Sequence, residues 1–112
     1  MEEIVKLLIE RKKKVSTMES CTGGYIVNSI TNIPGASDII EYSSVTYSNE
    51  YKIKMGVDKE LIDRYTVYIS IYDRDNDKYL DSVIKVDSDN RIECKEVVLR
   101  EVIRLLKNVL FK

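Results

Sequence analysis

The chain of 112 residues contains no histidine and no tryptophan, and only one proline, one phenylalanine, two cysteines and four glycines. Without histidine it lacks the commonest general base and the commonest metal ligand, so the base left to partner a nucleophile is a lysine. The two cysteines, Cys21 and Cys94, form neither a disulfide framework nor a metal-ligand spacing. No apolar run approaches the length of a membrane span, and the N-terminus lacks a signal-peptide core, so a cytoplasmic protein with no membrane partner is expected. Lys and Arg total 18 against 19 Asp and Glu, a net charge of −1 that leaves no electrostatic footprint for nucleic acid. The eight tyrosines are not interleaved with a basic stripe either. A chain of this length makes a single domain, residues 1–112, with one core.

What is present is a regular alternation of patterns. Residues 2–13 place Ile4, Val5, Leu8 and Ile9 among charges, the spacing of an amphipathic helix. Residues 14–20 read as a short strand, and Gly23 and Gly24 open a helix that stops before Pro34-Gly35. Residues 41–48 form a second strand. Asn49 caps a helix holding Tyr51, Lys52, Ile53 and Met55, ended by Gly56, and Asp58 caps another through Leu61 and Ile62. Val67, Ile69 and Ile71 then alternate with Tyr68, Ser70 and Tyr72, and Tyr79 to Val86 returns after the polar loop 73–77, a β-hairpin. Asp87, Ser88 and Asp89 are candidate N-caps for a final helix with a broad apolar stripe from Val98 to Leu110. This order predicts an α/β fold, a three-layer α/β/α sandwich with a mixed sheet.

The chemistry concentrates in Glu19-Ser20-Cys21-Thr22-Gly23-Gly24, at a strand-to-helix turn. The first N–H groups of a helix lack intrahelical partners, and the helix dipole adds positive potential there. Glycines let a ligand approach such a backbone, so Thr22, Gly23 and Gly24 can cradle a phosphate or an oxyanion beside the Ser20 hydroxyl. The plainer reading is that Ser20 or Thr22 caps the helix and the glycines allow close strand–helix packing. The hexamer alone does not choose between them. Lys52 follows the second strand, and in a parallel α/β arrangement the C-terminal strand ends converge on one crevice. To act as base it must be neutral, which requires a pKa lowered from about 10.4 to near 7, roughly 4–5 kcal/mol. Its plainer reading is a solvated surface lysine.

Three segments together carry a specific resemblance. They are Glu19 to Gly24, then Ile33-Pro34-Gly35-Ala36-Ser37, then Val45-Thr46-Tyr47-Ser48-Asn49-Glu50 followed by Lys52. In this order and spacing they resemble the CinA C-terminal domain, the nicotinamide-nucleotide amidohydrolase family also called PncC. The resemblance implies deamidation of nicotinamide mononucleotide to nicotinate mononucleotide and ammonia, with no metal or other cofactor. It assigns Ser20 as nucleophile and Lys52 as base. Backbone around Cys21, Thr22, Gly23 and Gly24 would hold the oxyanion, and Tyr47 and Ser48 would line the pocket. Cys21 itself reads as a small residue behind the turn, and Glu19 receives no firm role.

The chain also departs from the family. It resembles the family over nearly its full length but passes from Tyr65 directly to Thr66-Val67-Tyr68-Ile69, skipping a helix, a strand and a glycine-rich loop that the family carries between them. The missing strand leaves an open sheet edge, for which a homodimer is the expected remedy. The missing loop would have faced the nucleotide, so the alternative is a non-catalytic nucleotide-binding, anion-binding or assembly module on the same fold.

Overall fold

A computed structural model describes residues 1–48, 50, 54, 66–86 and 89–111. Of the expected helix of residues 49–56 only Glu50 and Lys54 are described, both helical; the expected helix of residues 58–62, the candidate caps Asp87 and Ser88, and Lys52 lie outside the described residues. The described elements are α1 (Glu2–Glu10), β1 (Val15–Glu19), α2 (Tyr25–Thr31), a 3-10 turn (Ala36–Asp38), β2 (Ile40–Val45), β3 (Thr66–Asp73), β4 (Lys78–Lys85) and α3 (Arg91–Leu110).

α1 buries Ile4, Val5 and Leu8 on one face and carries Glu2 and Glu3 in its first turn, where negative charge suits the dipole. It ends at Glu10, earlier than the expected 13, because the Arg11–Lys14 run offers nothing to bury. Lys12 adopts a left-handed φ of 56°. The Lys12 N–H bonds to the Ile9 carbonyl and the Lys13 N–H to the Leu8 carbonyl, the Schellman arrangement with lysine at its left-handed position. α2 buries Ile26 and Ile30 and closes at Thr31, shortly before Pro34. Gly35, at φ 90°, turns the chain under α1, and a β-carbon there would meet the Ile9 Cδ1 at 2.9 Å.

The principal core joins Ile4, Val5 and Leu8 of α1 to Ile30, Ala36 and Ile39, with Ile103, Leu106 and Leu110 of α3 packed against it. Arg11 reaches the Leu110 carbonyl at 2.8 Å, placing a cation at the C-terminal end of α3.

The α/β class read from the sequence holds. Among the described residues, however, the strands form two ladders rather than one mixed sheet: β1 runs parallel to β2, and β3 antiparallel to β4. Each ladder is backed by a helix, α2 against β1 and α3 against β3. The parallel register runs from Val15 opposite Ile40 to Glu19 opposite Val45, with one irregularity after Val15. In the hairpin, Val67, Ile69 and Ile71 pair with Ile84, Ser82 and Leu80 on the covered side. Tyr68, Tyr72, Tyr79 and Val83 stand on the exposed side. The loop is one residue tighter than expected because Asp73 pairs with Lys78.

The cap of α3 is Asn90, not the expected Asp87, Ser88 or Asp89. Its side-chain oxygen accepts from the Ile92 and Glu93 N–H groups at 3.0 and 3.1 Å. The helix therefore starts at the first position from which an Asn oxygen reaches both donors.

Candidate functional site at the serine–glycine turn

β1 and β2 are parallel, so their C-terminal ends lie side by side and project two loops in one direction. The first loop carries Ser20 to Gly24 and the second Thr46 to Ser48. Glu19, at the end of β1, ties them together. Its main-chain carbonyl accepts the Thr46 N–H at 2.8 Å. Its carboxylate accepts from the Thr22 hydroxyl at 2.7 Å, the Ile26 N–H at 2.8 Å and the Val27 N–H at 2.9 Å. Glu19 is only 6% exposed, so these charge-assisted bonds replace its lost hydration.

The turn's own N–H groups are divided. That of Gly23 closes on the Ser20 carbonyl at 2.9 Å, and that of Tyr25 on the Thr22 carbonyl at 3.0 Å. Those of Thr22 and Gly24 have no hydrogen-bond partner among the described residues. Gly24 caps α2 at φ 97°, a conformation that residues with a β-carbon adopt only at a cost. The anion cradle expected over Cys21 to Gly24 is thus narrower than the sequence implies. Glu19 already fills the helix terminus, and the Gly23 N–H is used inside the turn.

The Ser20 hydroxyl oxygen is buried and has no hydrogen-bond partner among the described residues, whereas a buried polar atom ordinarily has one. Cys21 is an exposed thiol and Thr22 is buried. Tyr47 and Ser48 are exposed on the second loop. Ser44 Oγ, inside β2, is a second buried oxygen without a partner among the described residues. Lys52, the expected base, lies outside the described residues.

α3 brings two cations that the sequence reading did not single out. A β-carbon on Gly23 would lie 3.8 Å from Lys95 Nζ, so this amine stands directly over the turn. One helical turn earlier, the Arg91 guanidinium donates to the Tyr47 hydroxyl at 2.7 Å. The i, i+4 spacing of Arg91 and Lys95 places both on one helix face, which was readable from sequence. That this face meets the glycine turn was not, because it depends on how a helix 70 residues downstream packs. Buried oxygen, open N–H groups and two cations form a site suited to a carbonyl next to an anionic group.

Comparison with known proteins follows the same lines. The CinA C-terminal domain matches residues 1–87, which include both loops and the hairpin. A competence-damage inducible protein of Caldicellulosiruptor saccharolyticus is 48% identical over 65 residues, 57% of this chain and 16% of that protein. Its counterpart in Clostridium perfringens is 48% identical over 67 residues, 58% of this chain and again 16% of the relative. The matched stretch therefore spans about a sixth of these curated relatives. The structure of a CinA superfamily protein from Klebsiella pneumoniae superposes with a TM-score of 0.68 at 16% identity, covering 97% of this chain and 91% of the other. The competence/damage inducible protein CihA from Agrobacterium tumefaciens gives 0.68 at 22% identity, with coverages of 95% and 94%. These structures speak for the fold. The chain belongs to the CinA C-terminal domain family. Arg91 and Lys95 fall beyond the matched residues, so their place at the site rests on the geometry alone.

Proposed function

We propose that this chain is an amidohydrolase acting on a pyridine nucleotide amide, converting a nicotinamide mononucleotide-like substrate to the corresponding acid and ammonia. The observation that carries this reading is the buried Ser20 hydroxyl just after β1, without a hydrogen-bond partner among the described residues, in a turn whose Thr22 and Gly24 N–H groups are open and whose Gly23 lies beside Lys95. Ser20 Oγ attacks the carboxamide carbon while Lys52 accepts its proton. The C=O π pair moves onto oxygen, where the Thr22 and Gly24 N–H groups stabilise it. Collapse of this intermediate expels ammonia, which leaves with the proton returned by Lys52. Water then attacks the acyl-enzyme, releasing the carboxylate and restoring the Ser20 hydroxyl. Lys95 and Arg91 supply the positive charge for a phosphate at the other end of the substrate. Ser20→Ala is expected to abolish ammonia release, and Lys52→Ala to do nearly the same, because paired groups are non-additive. Ammonia release undiminished by Ser20→Ala would refute the mechanism.

A second reading is a nucleotide-binding or assembly module. It is favoured by the cations themselves, since an anion held between Lys95 and the turn requires no nucleophile. It expects nucleotide binding that Ser20→Ala leaves intact and no turnover in either protein. For either activity we propose a homodimer, supported by the exposed tyrosine face of the hairpin and by ladders that hold only two strands each among the described residues. A sedimentation mass equal to one chain at working concentration would exclude it.

A further inference from the structure

Glu19 performs two tasks that the proposed chemistry does not use. Its carboxylate spans the start of α2: one oxygen accepts from both the Thr22 hydroxyl and the Ile26 N–H, the other from the Val27 N–H. Its backbone carbonyl holds Thr46, the residue before Tyr47. The Glu19 side chain thus fixes the far end of the turn that begins at Ser20, and its main chain fixes the start of the neighbouring loop. We propose that Glu19 is a positioning residue: an internal anion that occupies the helix terminus and holds Ser20, with its neighbouring N–H groups, in reacting register.

The physical case rests on what the position demands. A buried carboxylate is retained only where donors replace its water, and here the three donors among the described residues lie in the turn or in the first turn of α2. Glutamine has the same shape but offers one acceptor oxygen, so its amide N–H₂ would face an N–H donor of the helix. The turn must then shift to relieve that opposition. Among the described residues nothing hydrogen-bonds the Ser20 hydroxyl to hold it apart from its backbone, so it moves with the turn. Catalytic geometry tolerates such shifts poorly, and an ångström of misplacement costs about a hundredfold in rate. This inference depends on Ser20 being the reacting group only for its kinetic part.

Cys21 offers a readout that needs no activity. It follows Ser20 directly and its thiol is exposed, so its alkylation rate reports the shape of the turn. The experiment compares Glu19→Gln and Thr22→Val with the parent, all in a Cys94→Ser background, using iodoacetamide well below the unfolding temperature. Ile30→Val, a core truncation in α2, controls for loss of stability without loss of the carboxylate's partners. The expected result is a change of threefold or more in Cys21 alkylation for Glu19→Gln, a smaller change in the same direction for Thr22→Val, and none for Ile30→Val. With turnover, kcat of Glu19→Gln falls at least tenfold while KM stays within about twofold. A folded Glu19→Gln with unchanged alkylation and kcat overturns the inference. If that variant does not fold, an unchanged Cys21 rate in Thr22→Val overturns it instead. Absence of turnover in the parent protein counts against the amidohydrolase reading alone, because the thiol measurement still decides the role of Glu19.

Discussion

At the scale of single residues, the site combines a buried hydroxyl, a buried and fully engaged carboxylate and two cations from a distant helix. Among the described residues the Ser20 hydroxyl lacks a bond that almost every buried oxygen has, and the half-buried Lys95 stands over the glycine turn. If Lys95 binds the anionic end of the substrate, Lys95→Met should raise KM for a phosphorylated substrate by roughly 10–100-fold, the worth of a charge-assisted hydrogen bond. Steady-state kinetics checks this, and a dephosphorylated substrate should be indifferent to the change. A different residue tests the electrostatics of the hairpin. The Tyr72 hydroxyl donates to the Asp77 carboxylate at 2.8 Å, and that bond holds its pKa above the usual tyrosine value. Ionising the phenol would remove the donated proton and leave two anions facing each other. Asp77→Asn should therefore let Tyr72 ionise at lower pH, visible in the ultraviolet titration of tyrosinate.

At the scale of elements, the helices and strands follow from local pattern, while their ends follow from capping and close approach. α1 stops in a Schellman turn whose left-handed residue is Lys12, a position that favours glycine. Lys12→Gly should stabilise the domain by about 1 kcal/mol, the usual cost of a left-handed side-chain residue, read from a denaturant midpoint at unchanged m-value. Gly35→Ala works in the opposite sense. It adds a strained φ and a contact of 2.9 Å with Ile9, so a loss of about 1–3 kcal/mol is expected, part of it recovered by Ile9→Val. The apolar spacing of residues 2–10 and the alternation of 67–71 made α1 and the hairpin legible from sequence. The cap at Asn90 was missed because Asp87, Ser88 and Asp89 offer the same side-chain chemistry a few residues earlier. Only the packed start of α3 decides among them. The 3-10 turn at 36–38 left no periodic signal to read.

At the scale of the whole molecule, parallel pairing of β1 with β2 puts two loops at one end, and α3 folds back to lay Arg91 and Lys95 across them. The first half of this arrangement was legible, because strand–glycine turn–helix is a local signal and the motif order resembles a known family. The second half was not, since contacts between residues 23 and 95 depend on tertiary packing that no periodicity encodes. Nor did the sequence assign Glu19 its task, because a carboxylate beside a serine reads equally as a ligand group or a cap. The decisive experiment is ammonia release from nicotinamide mononucleotide by the purified chain, beside its Ser20→Ala variant. Turnover is expected in the parent and none in the variant, with both proteins unfolding at similar temperatures. Equal ammonia release by the two, or none by either, would contradict the claim that Ser20 is a working nucleophile.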